Sequence, residues 1–271
     1  MVVLIFDTTG GLCNQFYDII NGINFCLKYN MYFTFRYCSF RNDNLTSWTK
    51  QPFEDLFDLT FLNKYNLYIQ YHTIKDSIND TNCFNLNGEQ RACVVFADDN
   101  ILAQLIDLNK DYVVLSQFWS LYKFRDFIDH SIISCILPSK HIMEKFTGIK
   151  NTIHEPYNFI HYRYEKDFTT FFKTTVESLD SLIETITFKN NDLKIYVATS
   201  NIKSLLDVNN HKYEKLLYKN DDTLADLNFE QRAFIDYMFG LHSVECYGHR
   251  KSSFSCMLNS IKNTNNYYAG I

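Results

Sequence analysis

Residues 157–168, Tyr-Asn-Phe-Ile-His-Tyr-Arg-Tyr-Glu-Lys-Asp-Phe, place four groups capable of chemistry directly after an apolar, aromatic run. His161, Arg163, Glu165 and Asp167 stand at every second position. Alternate residues of a strand share a face, so His161 and Arg163 project together as far as the strand extends. An Arg inside a core strand is costly unless it is paired, so these groups are expected at the strand's carboxyl end. Open α/β sheets bind ligands at that end. A guanidinium there suits a phosphate, because its planar fork gives two parallel hydrogen bonds. A surface strand end with a salt-bridged Arg is the plainer alternative.

Three further clusters could act with this one. Gly10-Gly11-Leu12-Cys13-Asn14-Gln15 lies between an apolar run and a helical pattern. Glycines admit a ligand close to the backbone, and a helix start offers N–H groups to an anion. The segment is neither a Walker A loop nor Gly-x-Gly-x-x-Gly, so it names neither ATP nor NAD, and an ordinary βα turn would look the same. Gly248-His249-Arg250-Lys251-Ser252-Ser253-Phe254-Ser255 repeats the arrangement. Ser252 or Ser253 is placed to cap the following helix, whose first-turn N–H groups would face outward beside two basic residues. That geometry cradles phosphate, although capping alone would also account for the serines. Asp236 is a lone acid within Phe234-Ile235-Asp236-Tyr237-Met238-Phe239; it faces solvent or, if buried, needs partners.

The elements that must position these groups alternate. Residues 2–7 read as a buried strand, 15–29 as a helix and 31–37 as a strand, the βαβ order of a parallel sheet. Residues 40–90 break into short aromatic pieces, and apolar runs return at 92–97 and 112–119 around a helical stretch at 101–106. Pro138 and Pro156 bracket a short helix near 140–146, and the boundary between two halves is placed there. The second half restarts with a strand at 157–163, a helix at 171–186 and a strand at 193–198. A helix near 202–206, a strand near 214–218, a helix at 226–241, a strand at 243–247 and a closing helix at 254–261 follow. The expectation is a lobe over 1–148 and a lobe over 149–271.

Composition removes several function classes. The chain has 271 residues, 46% hydrophobic and 21% charged, with a formal net charge of −5. That charge argues against wide contact with nucleic acid. The 24 Phe and 19 Tyr accompany many Asn and Lys, all with A/T-rich codons, so the aromatic share does not indicate a base-stacking surface. No run reaches the ~18 apolar residues of a membrane span, and the opening apolar run lacks a basic leader. A soluble, cytoplasmic protein is expected. The 8 cysteines form no Cys-x-x-Cys pair and are expected as buried free thiols. Asp-x-Asp, Gly-x-Ser-x-Gly and His-Glu-x-x-His are absent, so a cation held by Asp-x-Asp against a diphosphate, a serine hydrolase and a zinc peptidase are not indicated.

Taken in order, Gly10–Gln15, His161–Phe168, Ala233–Tyr237 and Ser252–Ser255 resemble the motifs of the GDP-fucose-dependent O-fucosyltransferases. The second match, close to the plant-type variant, is the most specific. The resemblance implies a GT-B fold, two Rossmann-like lobes with a ligand cleft between them and the nucleotide bound mainly by the carboxyl-terminal lobe. It implies metal-independent, inverting transfer of L-fucose from GDP-fucose to a glycan or protein hydroxyl, with no cofactor. Arg163 would bind the β-phosphate and stabilise charge on departing GDP, and Asn14 would help place acceptor or phosphates. Gly11, Ser252, Ser253 and Phe254 would hold the nucleotide sugar, and His161 and Asp236 would contact guanine or ribose. Asp18, Glu165 and Asp167 are the possible bases. The same fold with another nucleotide sugar, or a silent GDP-sugar or glycan-binding module, would carry the same motifs.

Overall fold

The computed structural model describes residues 2–42, 47–86, 107–116, 129–164, 166–189, 193–200, 216–219 and 221–268. They fall into two compact units, Met1–His141 with Asn228–Gln231, and Ile142–Leu227 with Arg232–Ile271.

In the first unit, β1 (Val3–Asp7) leads through a glycine turn into α1 (Leu12–Tyr29) and then β2 (Tyr32–Arg41). Every residue of β1 is buried, as the continuous Val-Leu-Ile-Phe run requires of a strand covered on both faces. Asn30 ends α1 in the left-handed region at φ 54°, its N–H donating to the Cys26 carbonyl. The sheet is completed by β3 (Trp48–Pro52), β4 (Cys83–Leu86) and β5 (Tyr112–Ser116), with short helices α2 (Tyr71–Ile74) and α3 (His130–Ile133). Strand order is β3-β2-β1-β5-β4, parallel except for the antiparallel β2–β3 pair. The core joins Leu4, Ile5 and Phe6 to Phe16, Ile20 and Ile23 of α1, and the stacked rings of Phe35, Phe53 and Phe57 lie within it.

The second unit opens with α4 (Lys140–Lys150), which begins at the division between units, and continues with β6 (Tyr157–His161) and α5 (Lys166–Phe172). Then come α6 (Leu179–Lys189), β7 (Lys194–Ala198), β8 (Leu216–Leu217), α7 (Phe229–His242), β9 (Cys246–His249), α8 (Ser253–Ile261) and β10 (Tyr267–Tyr268). The sheet order is β10-β9-β6-β7-β8, all parallel. Both faces are buried. Ile160, Ile195 and Val197 pack with Leu182 and Ile186 of α6, while on the other face Tyr157 and Tyr196 meet Phe239 of α7 and Phe159 stacks on Tyr196.

The expected single helix at 171–186 is two helices. Lys173 adopts φ 47°, and the β-branched Thr174, Thr175 and Val176 that follow stay out of helix, as their restricted χ1 favours. The strand at the second glycine cluster runs to His249 rather than ending at 247, which puts Gly248 inside the ladder opposite Tyr267. The expected elements at 92–97, 101–106 and 202–206, and the end of the run at 112–119, lie outside the described residues. Cys13, Cys26, Cys38 and Cys246 are buried free thiols, whereas Cys83, Cys135 and Cys256 are only half-buried. No helix among the described residues is long and apolar enough to cross a membrane.

Candidate functional site

In the second unit, the adjacent strands β6 and β9 end in His161 and His249. A turn closed by Ser252 N–H donating to the His249 carbonyl (3.0 Å) carries the chain into α8. Ser255, fully buried in the first turn of α8, ties these pieces together. Its Oγ accepts from the His249 N–H at 3.1 Å and lies 2.8 Å from His161 Nδ1. Gly248 makes this approach possible, since a Cβ there would sit 2.2 Å from Ser255 Oγ. The His161 ring stacks on Phe254 with centroids 4.3 Å apart. Burial, reinforced by the positive charges of Arg163 and Lys219, holds His161 well below the usual 6.5, so it is neutral at pH 7. Burial and Lys251 likewise push His249 down. His249 Nδ1 accepts from the Lys251 N–H at 3.1 Å and therefore carries no proton.

Arg163 follows β6 directly. Its N–H donates to the Tyr268 hydroxyl (3.1 Å), which itself donates to the His161 carbonyl (2.7 Å). The guanidinium lies over the Phe168 ring at 5.0 Å, and that ring stands edge-on to His249 at 4.9 Å. Arg163 is thus steered by stacking and by its own backbone, at the carboxyl end of the central strand.

The start of α8 is open. Ser252 occupies the N-cap position in extended conformation, but its side chain makes no capping bond, so the expected serine cap is not formed. Among the described residues, no acceptor takes the N–H groups of Ser253, Phe254 or Ser255. These donors, at the positive end of the helix dipole, can receive an anion.

Asp236 does not face solvent. It is 5% exposed and accepts from the Tyr196 hydroxyl at 2.9 Å and from the Lys219 ammonium. Of the possible bases, Asp167 lies in α5, and Glu165 lies outside the described residues.

The glycine turn of the first unit is organised differently. Gly10 adopts φ 80°, which only glycine takes without strain. The fully buried Gln15 clamps the turn: its Nε2 donates to the Gly10 and Ser39 carbonyls, and its Oε1 accepts from Thr8 Oγ1 and Ser39 N–H. Asp18, 1% exposed, accepts from the Thr9 N–H at 2.7 Å. The anion expected at the start of α1 is internal. Glu230, fully buried, accepts from the Leu12 N–H at 2.8 Å and from Arg41 Nε at 2.7 Å. Asn14 keeps one resource unspent, a buried Oδ1 without a hydrogen-bond partner among the described residues.

The structure therefore gathers His161, Arg163, Phe254 and the α8 start around Ser255, and separately gathers Gly11, Asn14 and Asp18 at the α1 turn. Sequence reasoning did not assign Ser255, Gly248, Tyr268, Lys219 or Glu230. Gly248 and Ser255 stood within a flagged cluster; the other three carry no local signal. Among the described residues, no three His, Cys, Asp or Glu side chains are grouped to hold a metal ion.

No protein-family model matches the chain, and no curated protein matches it in sequence. Solved structures do. POFUT1 in complex with GDP is 11% identical over 99% of this chain and 98% of that one, with a TM-score of 0.63. The apo form of POFUT1 is 12% identical over the same shares, with a TM-score of 0.66. The fucosyltransferase NodZ from Bradyrhizobium is 11% identical over 96% of this chain and 92% of that one, with a TM-score of 0.55. At such identities the likeness defines the fold, which is GT-B with two Rossmann-like lobes.

Proposed function

We propose that the protein is a glycosyltransferase that moves L-fucose from GDP-fucose to a hydroxyl acceptor, with inversion and without a metal. The observation that carries this reading is the open α8 start, three unaccepted N–H groups set beside a neutral His161 and the Arg163 guanidinium. A diphosphate satisfies the N–H groups and takes the Arg163 fork, which stabilises the charge growing on departing GDP. Ser252 and Ser253 add hydroxyls at the same helix end, and Phe254 fixes the His161 ring that faces guanine or ribose. Asp236, held in place by Lys219 and Tyr196, stands with His161 as a contact for guanine or ribose. In the first unit, Asn14 offers its unspent amide oxygen to a hydroxyl of the acceptor substrate, beside the side-chain-free backbone of Gly11. Solved structures similar to this one in fold include complexes with GDP and with GDP-fucose, which supports the choice of nucleotide.

The test is a thermal-shift titration with GDP and UDP, with and without EDTA, followed by turnover over a panel of GDP-sugars. GDP stabilises the protein equally with EDTA present, and GDP-fucose is consumed fastest. Arg163→Ala keeps the wild-type melting temperature and lowers turnover by roughly 10²–10³-fold, the usual effect of removing one charge-stabilising donor. Stabilisation by UDP alone, preference for another GDP-sugar, or full turnover in the Arg163 variant would each overturn the corresponding part.

A further inference from the structure

The central strand of the second sheet, β6, parts from its neighbour β9 just where the phosphate-binding groups begin. The two strands pair at Phe159 with Cys246 and at Ile160 with Tyr247. Continuing that register sets Tyr162 opposite His249. A parallel ladder would there donate the His249 N–H to the His161 carbonyl and the Arg163 N–H to the His249 carbonyl. Both backbone groups of His249 are engaged elsewhere. Its N–H donates to Ser255 Oγ (3.1 Å) and its carbonyl accepts from the Ser252 N–H (3.0 Å), the two bonds that shape the turn into α8. The Tyr268 hydroxyl takes their place on β6. It donates to the His161 carbonyl at 2.7 Å and accepts from the Arg163 N–H at 3.1 Å, so one side-chain oxygen does the work of a β9 residue. A phenol has a single proton, and here the His161 carbonyl holds it, so Tyr268 acts on the site through Arg163 rather than by donating to a ligand.

The segment that delivers this hydroxyl is itself tied to the site. After α8, Asn263 turns the chain back at φ 53°. The fully buried Asn259 of α8 holds the returning segment: its Oδ1 accepts from Thr264 Oγ1 (2.8 Å) and the Asn266 N–H (3.0 Å), while its Nδ2 donates to the Ser255 carbonyl (3.0 Å). The Gly248 N–H donates to the Asn266 carbonyl at 3.1 Å, which seats β10 on β9. The buried Tyr268 ring then stands edge-on to His249, with centroids 5.7 Å apart. One short arm therefore touches α8 at Ser255, β9 at Gly248 and His249, and β6 at His161 and Arg163.

We infer that Tyr268 is the positioning residue of Arg163. Its hydroxyl fixes the backbone from which the guanidinium reaches the diphosphate, and it leaves the His249 backbone free to build the α8 turn. The effect on turnover rests on the fucosyl-transfer reading; the hold on the Arg163 backbone does not. The test compares the whole chain as wild type, Tyr268→Phe, Arg163→Ala and the double variant, by amide hydrogen exchange and by GDP-fucose turnover. Phenylalanine keeps the ring and deletes only the oxygen. The Arg163 amide exchanges at least tenfold faster in Tyr268→Phe, and kcat falls tenfold or more while KM for GDP-fucose stays within threefold. Adding Tyr268→Phe to Arg163→Ala changes turnover less than twofold, because a residue that acts through Arg163 has nothing to act on once that side chain is gone. A merely structural tyrosine would instead lower turnover by the same factor in both backgrounds, and that result overturns the inference. Wild-type kcat or an equally protected Arg163 amide in Tyr268→Phe also overturns it. Wild type that consumes no GDP-sugar sinks the fucosyl-transfer reading, and the exchange comparison still decides whether Tyr268 sets the Arg163 backbone.

Discussion

Gly248→Ala is the sharpest probe of the site, because the added methyl has nowhere to go. Its carbon would stand 2.2 Å from Ser255 Oγ, 2.5 Å from Ser255 Cβ and 3.4 Å from Ser255 Cα. Restoring ordinary contact requires the Ser255 side chain to retreat by roughly 1 Å, against the close packing of a protein interior. Ser255 Oγ now lies 2.8 Å from His161 Nδ1 and 3.1 Å from the His249 nitrogen, so such a retreat strains or breaks both bonds. Overpacking costs about 1–3 kcal/mol, and stranding the buried His249 N–H adds about 1–3 kcal/mol. The sum is about 2–6 kcal/mol, or a melting temperature lower by roughly 10–25 °C for a unit of this size. Calorimetric melting and GDP titration read the two consequences, and GDP affinity is expected to fall tenfold or more as the α8 start shifts. The double variant Gly248→Ala/Ser255→Gly removes both clashing atoms and leaves only the 3.4 Å contact. It relieves the overpacking, but it leaves the His249 N–H and His161 Nδ1 without Ser255 Oγ and adds about 1 kcal/mol for glycine in a helix, so it should stay well below wild type and bind GDP poorly. A single variant melting within 2 °C of wild type, or a double variant as stable as wild type, would refute the reasoning.

Asp236→Asn leaves the buried Lys219 ammonium without its counter-charge, a loss of roughly 3–5 kcal/mol in urea unfolding; a loss below about 1 kcal/mol would mean that water reaches the pair. Stability should also fall on acidification. His161 is held below its ordinary 6.5 in the fold, chiefly by burial, so the unfolded chain binds that proton more readily. Stability present above pH 6.5 is therefore lost as the pH falls from 6.5 toward the folded-state value, and His249 and His242 act in the same direction. Melting temperatures taken from pH 7.5 to 5.5 should decline; a flat or rising series would show that His161 is not held neutral.

The central strands were legible because a buried parallel strand is a continuous apolar run, as 3–7 and 157–161 are in any context. So was the position of Arg163, since a cation cannot remain inside such a run. The broken helix after Phe172 was not, because its apolar spacing fits one helix as well as two, and only the left-handed Lys173 interrupts it. Least legible was which glycine turn is free to hold an anion. The turns before α1 and α8 look alike in sequence, each a strand end, a glycine and a helix start. They differ through partners far along the chain: Glu230, 218 residues from Leu12, fills the α1 start, and local pattern cannot report such a pairing. No described carboxylate does the same at α8. A helix start that is already neutralised gains little from a ligand's phosphate, whereas an open one beside Arg163 gains a charge-assisted bond for each N–H. That asymmetry supports assigning the diphosphate to the second unit.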